Sequence, residues 1–327
     1  MDPHVNLYYP NHEVDAKKYL QDYYSQHVPY SVFKESTINM MRCFYNALNS
    51  GLVSGKTLID ISFGSIIVNL LSICEFFQEI SIVKFYDADI RELELWRNKD
   101  PDAFDWTPIL KLFREFKGMS SDRWSEEEEN LRGKIKKIMK WEFTEDNLTD
   151  SVSPPKADCA TSIWALELIS KDHEEYKRNL RKFSKLIKLG GYLLLYTDIN
   201  CTYFKIGEDK FQLLPCDENF CRKVLSEEGL EIEHFENLEK VMGCDLVDHE
   251  GIVFIVARKL CTESQIVCPS PAHIPPPSLD SVPQQCEKLS PLLGTVVLLA
   301  AHPYSGSSVD SSRSPQLSLE NLKPSVQ

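Results

Sequence analysis

The chain has 327 residues, which suits one large α/β domain plus an appendage or two small domains, and its 43% hydrophobic content can build a sizeable core. A net charge of −13, with lysines and arginines spread along the chain, lacks the footprint of a nucleic-acid binder. The ten cysteines form no C-x-x-C and no paired cysteine–histidine spacing, and the N-terminus lacks a basic-then-apolar leader, so a reduced, cytoplasmic protein with no bound metal is expected.

Residues 1–14 are polar and read as a mobile N-terminus. Two helices are predicted next, over 15–24 with Tyr19, Tyr23 and Tyr24, and over 31–50 with apolar residues at helical spacing and a stop at Gly51. TLIDISFGSIIVNLL (57–71) reads as a buried strand, a turn around Gly64 and a helix from near Ser65 to about Gln78. In a βα unit that turn lies at the carboxyl end of the first strand, where open α/β sheets bind ligands. ISIVKF (80–85) is a second strand, and helices follow over 87–99 and 108–116. Ser125 with Glu128 reads as a capping box, and the helix it starts is expected to continue through LRGKIKKIM, with a strand from about residue 140. The acidic run there suits a helix N-terminus better than a metal.

ADCATSIWAL (157–166) and YLLLYTDI (192–199) read as buried strands around a helix over 172–187 closed by Gly190 and Gly191. A helix over 217–228 and two final strands, 231–241 and 251–260, complete the pattern. Helices alternating with apolar strands predict a parallel doubly wound sheet. Ten of the eighteen prolines lie beyond Cys261, so 261–327 reads as a Pro/Ser-rich disordered tail. Its apolar stretch, 292–301, is too short to span a bilayer, and no membrane span is expected.

KDPDAFDW (99–106), LLSICE (70–75), PPKADC (154–159), LIKLGGYLLL (186–195), IGEDKF (206–211) and EGIVFIVARKL (250–260) carry a resemblance. From about Tyr19 to Leu260 the chain resembles the N-methyltransferases that act on nicotinamide, phenylethanolamine and indolethylamine. The resemblance implies a class I methyltransferase over 15–260: a Rossmann-like seven-stranded sheet with helices on both faces, and N-terminal lid helices over 15–50. It also implies S-adenosylmethionine over the carboxyl ends of strands one to four, a small amine or pyridine substrate, and a monomer. Methyl transfer in line from sulfur to nitrogen needs positioning rather than a covalent enzyme intermediate.

The resemblance assigns cofactor positions to Tyr19, Tyr24, Ser62, Phe63, Gly64, Val68, Lys84, Asp87, Asp89, Glu142, Phe143 and Ile163. Tyr19 and Tyr24 keep the lid tyrosines. Ser62 and Phe63 stand where the family loop has a glycine and a small residue. Val68 replaces a tyrosine that meets the methionine carboxylate. Lys84 replaces the acid that accepts the ribose hydroxyls, although a lysine only donates. Asp87, three residues on, is a substitute acceptor or the N-cap of the next helix. Asp89 replaces an asparagine, Glu142 and Phe143 an Asp-Val pair at the adenine, and Ile163 a threonine.

On the substrate side the resemblance assigns Thr197, Asp198, Tyr203 and Leu213. Thr197 holds the place of the family acid. Asp198 beside it is the candidate catalytic group, but strand alternation turns it away unless a bulge intervenes. Three readings follow: a methyltransferase with an unusual site, a catalytically inactive relative acting as a binding or regulatory protein, and a pocket reused for another ligand.

Overall fold

The computed structural model describes residues 7–141, 155–240 and 245–260; Glu142, Phe143 and the 261–327 segment lie outside the described residues. Its centre is a seven-stranded sheet in the order β3-β2-β1-β4-β5-β9-β8. The strands are β1 (Thr57–Asp60), β2 (Glu79–Lys84), β3 (Ile135–Lys140), β4 (Ala157–Ile163), β5 (Ile187–Ile199), β8 (Leu230–Glu239) and β9 (Gly251–Lys259). Strands β3 to β5 pair in parallel, and β9 runs antiparallel to both β5 and β8. This is the class I methyltransferase fold. Its central strands are continuous apolar runs because helices cover both faces. The order reverses between β1 and β4, so the crevice for a ligand opens at their carboxyl ends.

The N-terminal segments cover that crevice. Asp15 caps α1 (Ala16–Tyr24) by accepting from the Lys18 amide at 2.9 Å. Helix α2 (Tyr30–Phe33) runs through a π-helical stretch, Lys34–Asn39, into α3 (Met40–Asn49). The Tyr196 hydroxyl at the end of β5 donates to the Glu35 carbonyl at 2.7 Å and ties that stretch to the sheet. A small hairpin of β6 (Tyr203–Ile206) and β7 (Asp209–Gln212) forms its own two-stranded sheet. Leu7 continues it: its amide donates to the Lys210 carbonyl at 2.7 Å, and its carbonyl accepts from the Gln212 amide at 2.8 Å. Residues 7–14 are thereby a strap laid from the hairpin to α1.

Several elements differ from the sequence reading. The helix after β1 is α4, only Val68–Ile73, followed by a 3-10 turn at Cys74–Phe76. Ile66 and Ile67, both β-branched and fully buried, lie outside it. Helix α7 is Trp124–Lys134, so Ser125 lies inside its first turn and caps nothing; the N-cap is Arg123, with no side-chain bond. Glu126 and Glu127 do lie in its first turn, and the acidic run also makes ion pairs, Glu127 with Arg114 at 3.2 Å and Glu129 with Lys99 at 2.8 Å. IKKIMK is not the end of a helix but the edge strand β3, because pairing with β2 places Ile138 beside Ile82 and Met139 beside Val83. Cross-strand packing decides such a segment over its local propensity.

Candidate functional site

The turn after β1 is built around a fully buried carboxylate. Asp60 Oδ1 accepts from Ser62 Oγ at 2.7 Å, Asn69 Nδ2 at 2.8 Å and Thr161 Oγ1 at 2.7 Å. Its other oxygen, Oδ2, accepts from Lys84 Nζ at 3.1 Å. The same ammonium donates to the Ser62 carbonyl at 2.9 Å. Both side chains are 0% exposed. Lys84 thus reaches across from the end of β2 into the turn, where it neutralises Asp60 and pins the loop backbone. Removing one member of such a pair typically costs about 3–5 kcal/mol, because a buried charge is left alone.

Above this pair the strand ends are filled by aromatic rings. Phe63, on the turn, packs its ring 4.7 Å from Tyr19, 5.4 Å from Tyr9 and 5.3 Å from Phe204. Tyr9 comes from the strap and is 0% exposed. Its ring meets Phe85, the residue after β2, edge-on at 6.4 Å, and Tyr86 at 5.0 Å. The Tyr86 hydroxyl donates to the Tyr9 carbonyl at 2.5 Å. Gly64 has φ +66°, and a Cβ there would lie 2.4 Å from Tyr19 Cε1. The glycine therefore serves both the turn's left-handed backbone and the close seat of the tyrosine.

The remaining assigned residues are dispersed. Tyr19 and Tyr24 stand with hydroxyls 3.5 Å apart, and burial raises both pKa values. Val68 is the first residue of α4 and fully buried. Ile163 lends its carbonyl to the Phe63 amide at 2.9 Å. Asp87 is not an N-cap: it lies inside the first turn of α5 (Asp87–Arg97), 60% exposed, paired with Lys140 at 2.8 Å. The cap position is Tyr86, and the Ala88 amide is met from outside by Glu13 Oε1 at 3.0 Å. Asp89, by contrast, is 2% exposed with Oδ2 unpartnered. Burial pushes its carboxyl up to about 7, against the pull of Lys84.

At the end of β5 the two neighbouring residues take opposite sides, and the expected order is reversed. Thr197 Oγ1 donates to Glu167 Oε1 at 2.6 Å, while Asp198 faces a cavity of about 50 Å³. Asp198 needs no bulge to do so: β5 and β9 pair in unbroken register from Tyr192 to Ile199. The correction is one of phase, since Asp198 lies on the side of Tyr196 and of the π-helical stretch. Trp164 Nε1 donates to Asp198 Oδ1 at 3.1 Å. Leu213 also lines the cavity, but Tyr203 stands apart from it, its ring 3.6 Å from the Lys210 ammonium. Tyr9, Glu35, Trp164 and His249 were not singled out from sequence. Among the described residues no group of three or more His, Cys, Asp and Glu side chains is placed to hold a metal, and no helix is long and apolar enough to cross a membrane.

Comparison with known proteins gives this geometry a lineage. The family model described as NNMT/PNMT/TEMT matches residues 8–260. Human nicotinamide N-methyltransferase is 33% identical over 246 residues, which are 75% of this chain and 93% of that protein. Rabbit (Oryctolagus cuniculus) indolethylamine N-methyltransferase is 31% identical, covering 74% of this chain and 92% of that protein. Among solved structures, a SAM-dependent methyltransferase from Methanosarcina mazei aligns with a TM-score of 0.46 at 14% identity, over 66% of this chain and 97% of that one. S-adenosylmethionine is the cofactor such a family brings with it. At the position the resemblance gives to the ribose acid Lys84 holds only donors, and Phe63 and Tyr9 pack above the turn.

Proposed function

The chain belongs to the NNMT/PNMT/TEMT family, and from that premise we propose that it is a non-catalytic member, a binding protein that keeps the N-methyltransferase scaffold without methyl transfer. The observation that carries this reading is the closed turn after β1, where Lys84 is committed to Asp60 and Ser62 while Phe63 packs beneath Tyr9. Each charged hydrogen bond of this kind contributes roughly 1.5–3 kcal/mol, so opening the turn for a ligand means breaking contacts that the free chain already makes. A cofactor would also have to displace two fully packed rings.

A second reading keeps the family's activity, methyl transfer from S-adenosylmethionine to a small amine or pyridine nitrogen. Asp89 favours it: a buried carboxylate with one oxygen unpartnered, in the first turn of the helix after β2, is a group able to accept from a ribose hydroxyl once the rings above it move. Incubation of the full chain with methyl-labelled S-adenosylmethionine and a panel of primary amines, secondary amines and pyridines separates the two. The expected result is no labelled product above the protein-free background. Turnover of any acceptor would sink the non-catalytic reading.

A further inference from the structure

At the end of the sheet away from the crevice, β1, β4 and β5 begin and β9 finishes, because β9 runs antiparallel to β5. Basic residues gather there. Lys56 precedes β1, Lys156 precedes β4, Lys188 lies at the start of β5, and Arg258 and Lys259 end β9. Lys185 joins them as the last residue of α8 (His173–Lys185). Short contacts make these one surface. Asp158 accepts from the Lys56 amide at 2.8 Å and pairs with Lys188 Nζ at 2.6 Å. Lys259 Nζ donates to the Ile187 carbonyl at 3.2 Å, and Arg258 Nε to the Gly190 carbonyl at 3.4 Å. Burial lowers the Lys259 pKa, and the charge of Lys156 lowers it further. Acids answer part of this charge: Asp158 at Lys188, Glu233 at 3.7 Å from Arg258, and Glu79 and Glu231 exposed at the near ends of β2 and β8. Lys56, Lys156 and Lys185 make no ion pair among the described residues.

Two leucines stand out from the same surface. Four large apolar side chains are exposed among the described residues, and Leu189 and Leu260, 52% and 43% exposed, are two of them. The register of β5 against β4 shifts between Ala157 and Cys159, so residues 188–191 bulge outward. Gly190 has φ +76°, and a Cβ on Gly191 would lie 2.6 Å from the Asp158 carbonyl oxygen, so this bulge needs its two glycines. It holds Leu189 away from the core with Lys188 beside it. Leu260 follows β9, its amide donating to the Gly229 carbonyl at 3.0 Å. Single exposed leucines are ordinary, but two beside unpaired lysines combine apolar and cationic contact on one face.

Anionic lipid meets that combination, with charged headgroups for the lysines and the acyl boundary for the leucines. A nucleic-acid site would offer aromatic rings for bases to stack on rather than leucines. The acidic remainder of the chain does not forbid docking, because exposed charges beyond about 8 Å are largely screened at physiological salt. We propose that this end of the sheet docks on an anionic bilayer surface, with Leu189 and Leu260 entering the headgroup region and Lys56, Lys156 and Lys185 meeting the lipid charge. Docked in this way, the chain keeps the crevice at the carboxyl ends of β1 and β4 turned to solvent. This goes beyond the non-catalytic reading and is independent of it, because docking is measured with no methyl donor present.

The test sediments the full chain with vesicles of phosphatidylcholine and phosphatidylserine in equal parts, and with vesicles of phosphatidylcholine alone. Expected is binding to the mixed vesicles, little to phosphatidylcholine, and release at high salt. Reversing the three unpaired lysines together, Lys56→Glu, Lys156→Glu and Lys185→Glu, should weaken binding by roughly tenfold or more. Leu189→Ser should weaken it by about threefold or more, and as a single exposed substitution it serves should the triple variant fail to fold. The proposal is overturned if the full chain does not sediment with the mixed vesicles, if phosphatidylcholine alone binds as well, or if folded variants bind unchanged. Capture of single-stranded DNA in place of the vesicles would also overturn it and assign the patch to nucleic acid.

Discussion

At Lys84 an ammonium that would be costly to bury alone has its charge met by Asp60 and its donors by Asp60 and the Ser62 carbonyl. Three other buried acids are less well compensated. Asp89 and Glu167 are pushed up to about 7 and Asp198 to about 6, in each case chiefly by burial. A carboxyl whose folded pKa exceeds its unfolded value binds its proton more tightly in the folded chain, so its contribution to stability is lost as pH rises through the folded pKa. His249, also raised, acts in the same sense: its contribution is present below the unfolded value and lost as pH rises. Asp158 is the opposite case. Burial would raise it, but the Lys188 ammonium and the Lys56 and Thr57 donors hold it below the usual carboxylate range, and its contribution is complete throughout the neutral range. The melting temperature is therefore expected to fall as pH rises from about 4 to about 7, the window between the ordinary carboxylate range and the raised values of Asp198, Asp89 and Glu167. A flat or rising melting profile over that window would contradict the burial of these acids.

Among the elements, the strap of residues 7–14 has the largest consequence for the site. Two backbone hydrogen bonds at Leu7 attach it to the hairpin, the Asp15 cap begins α1 at its other end, and Tyr9 between them is wholly buried against Phe63 and Phe85. Tyr9→Ala would leave a ring-sized void over the turn after β1, and is expected to lower stability by about 3–5 kcal/mol in urea unfolding. A loss below about 1 kcal/mol would mean that the strap is not seated in solution as described. The strap was not legible in the sequence, since YYP at 8–10 lies in a polar stretch with no period. The β3 edge was misread for a related reason. IKKIMK continues a charged helical run, and only its pairing with Ile82 and Val83 makes it a strand. By contrast α1, α8 (His173–Lys185) and α9 (Glu218–Glu227) were legible, because aspartate N-caps and apolar stripes are local signals.

Across the whole molecule the legible part is the scaffold. Alternating strands and helices, and a turn at the carboxyl end of β1, pointed to a doubly wound sheet, and a seven-stranded, mostly parallel sheet is found. The replacements at Ser62, Phe63 and Lys84 were legible as well, but their new partners were not. Lys84 meets Asp60 across 24 residues, and His249 meets Glu35 across 214, and sequence spacing carries no direction for either side chain. Asp198 was placed on the wrong side because its phase was counted from the family acid at Thr197. On the non-catalytic reading proposed above, the methyltransferase fold has the turn after β1 closed where a cofactor would sit, by an ion pair below and by rings above. Isothermal titration calorimetry of the full wild-type chain with S-adenosylmethionine tests that closure most directly. The expected result is no saturable heat, and micromolar binding would contradict it.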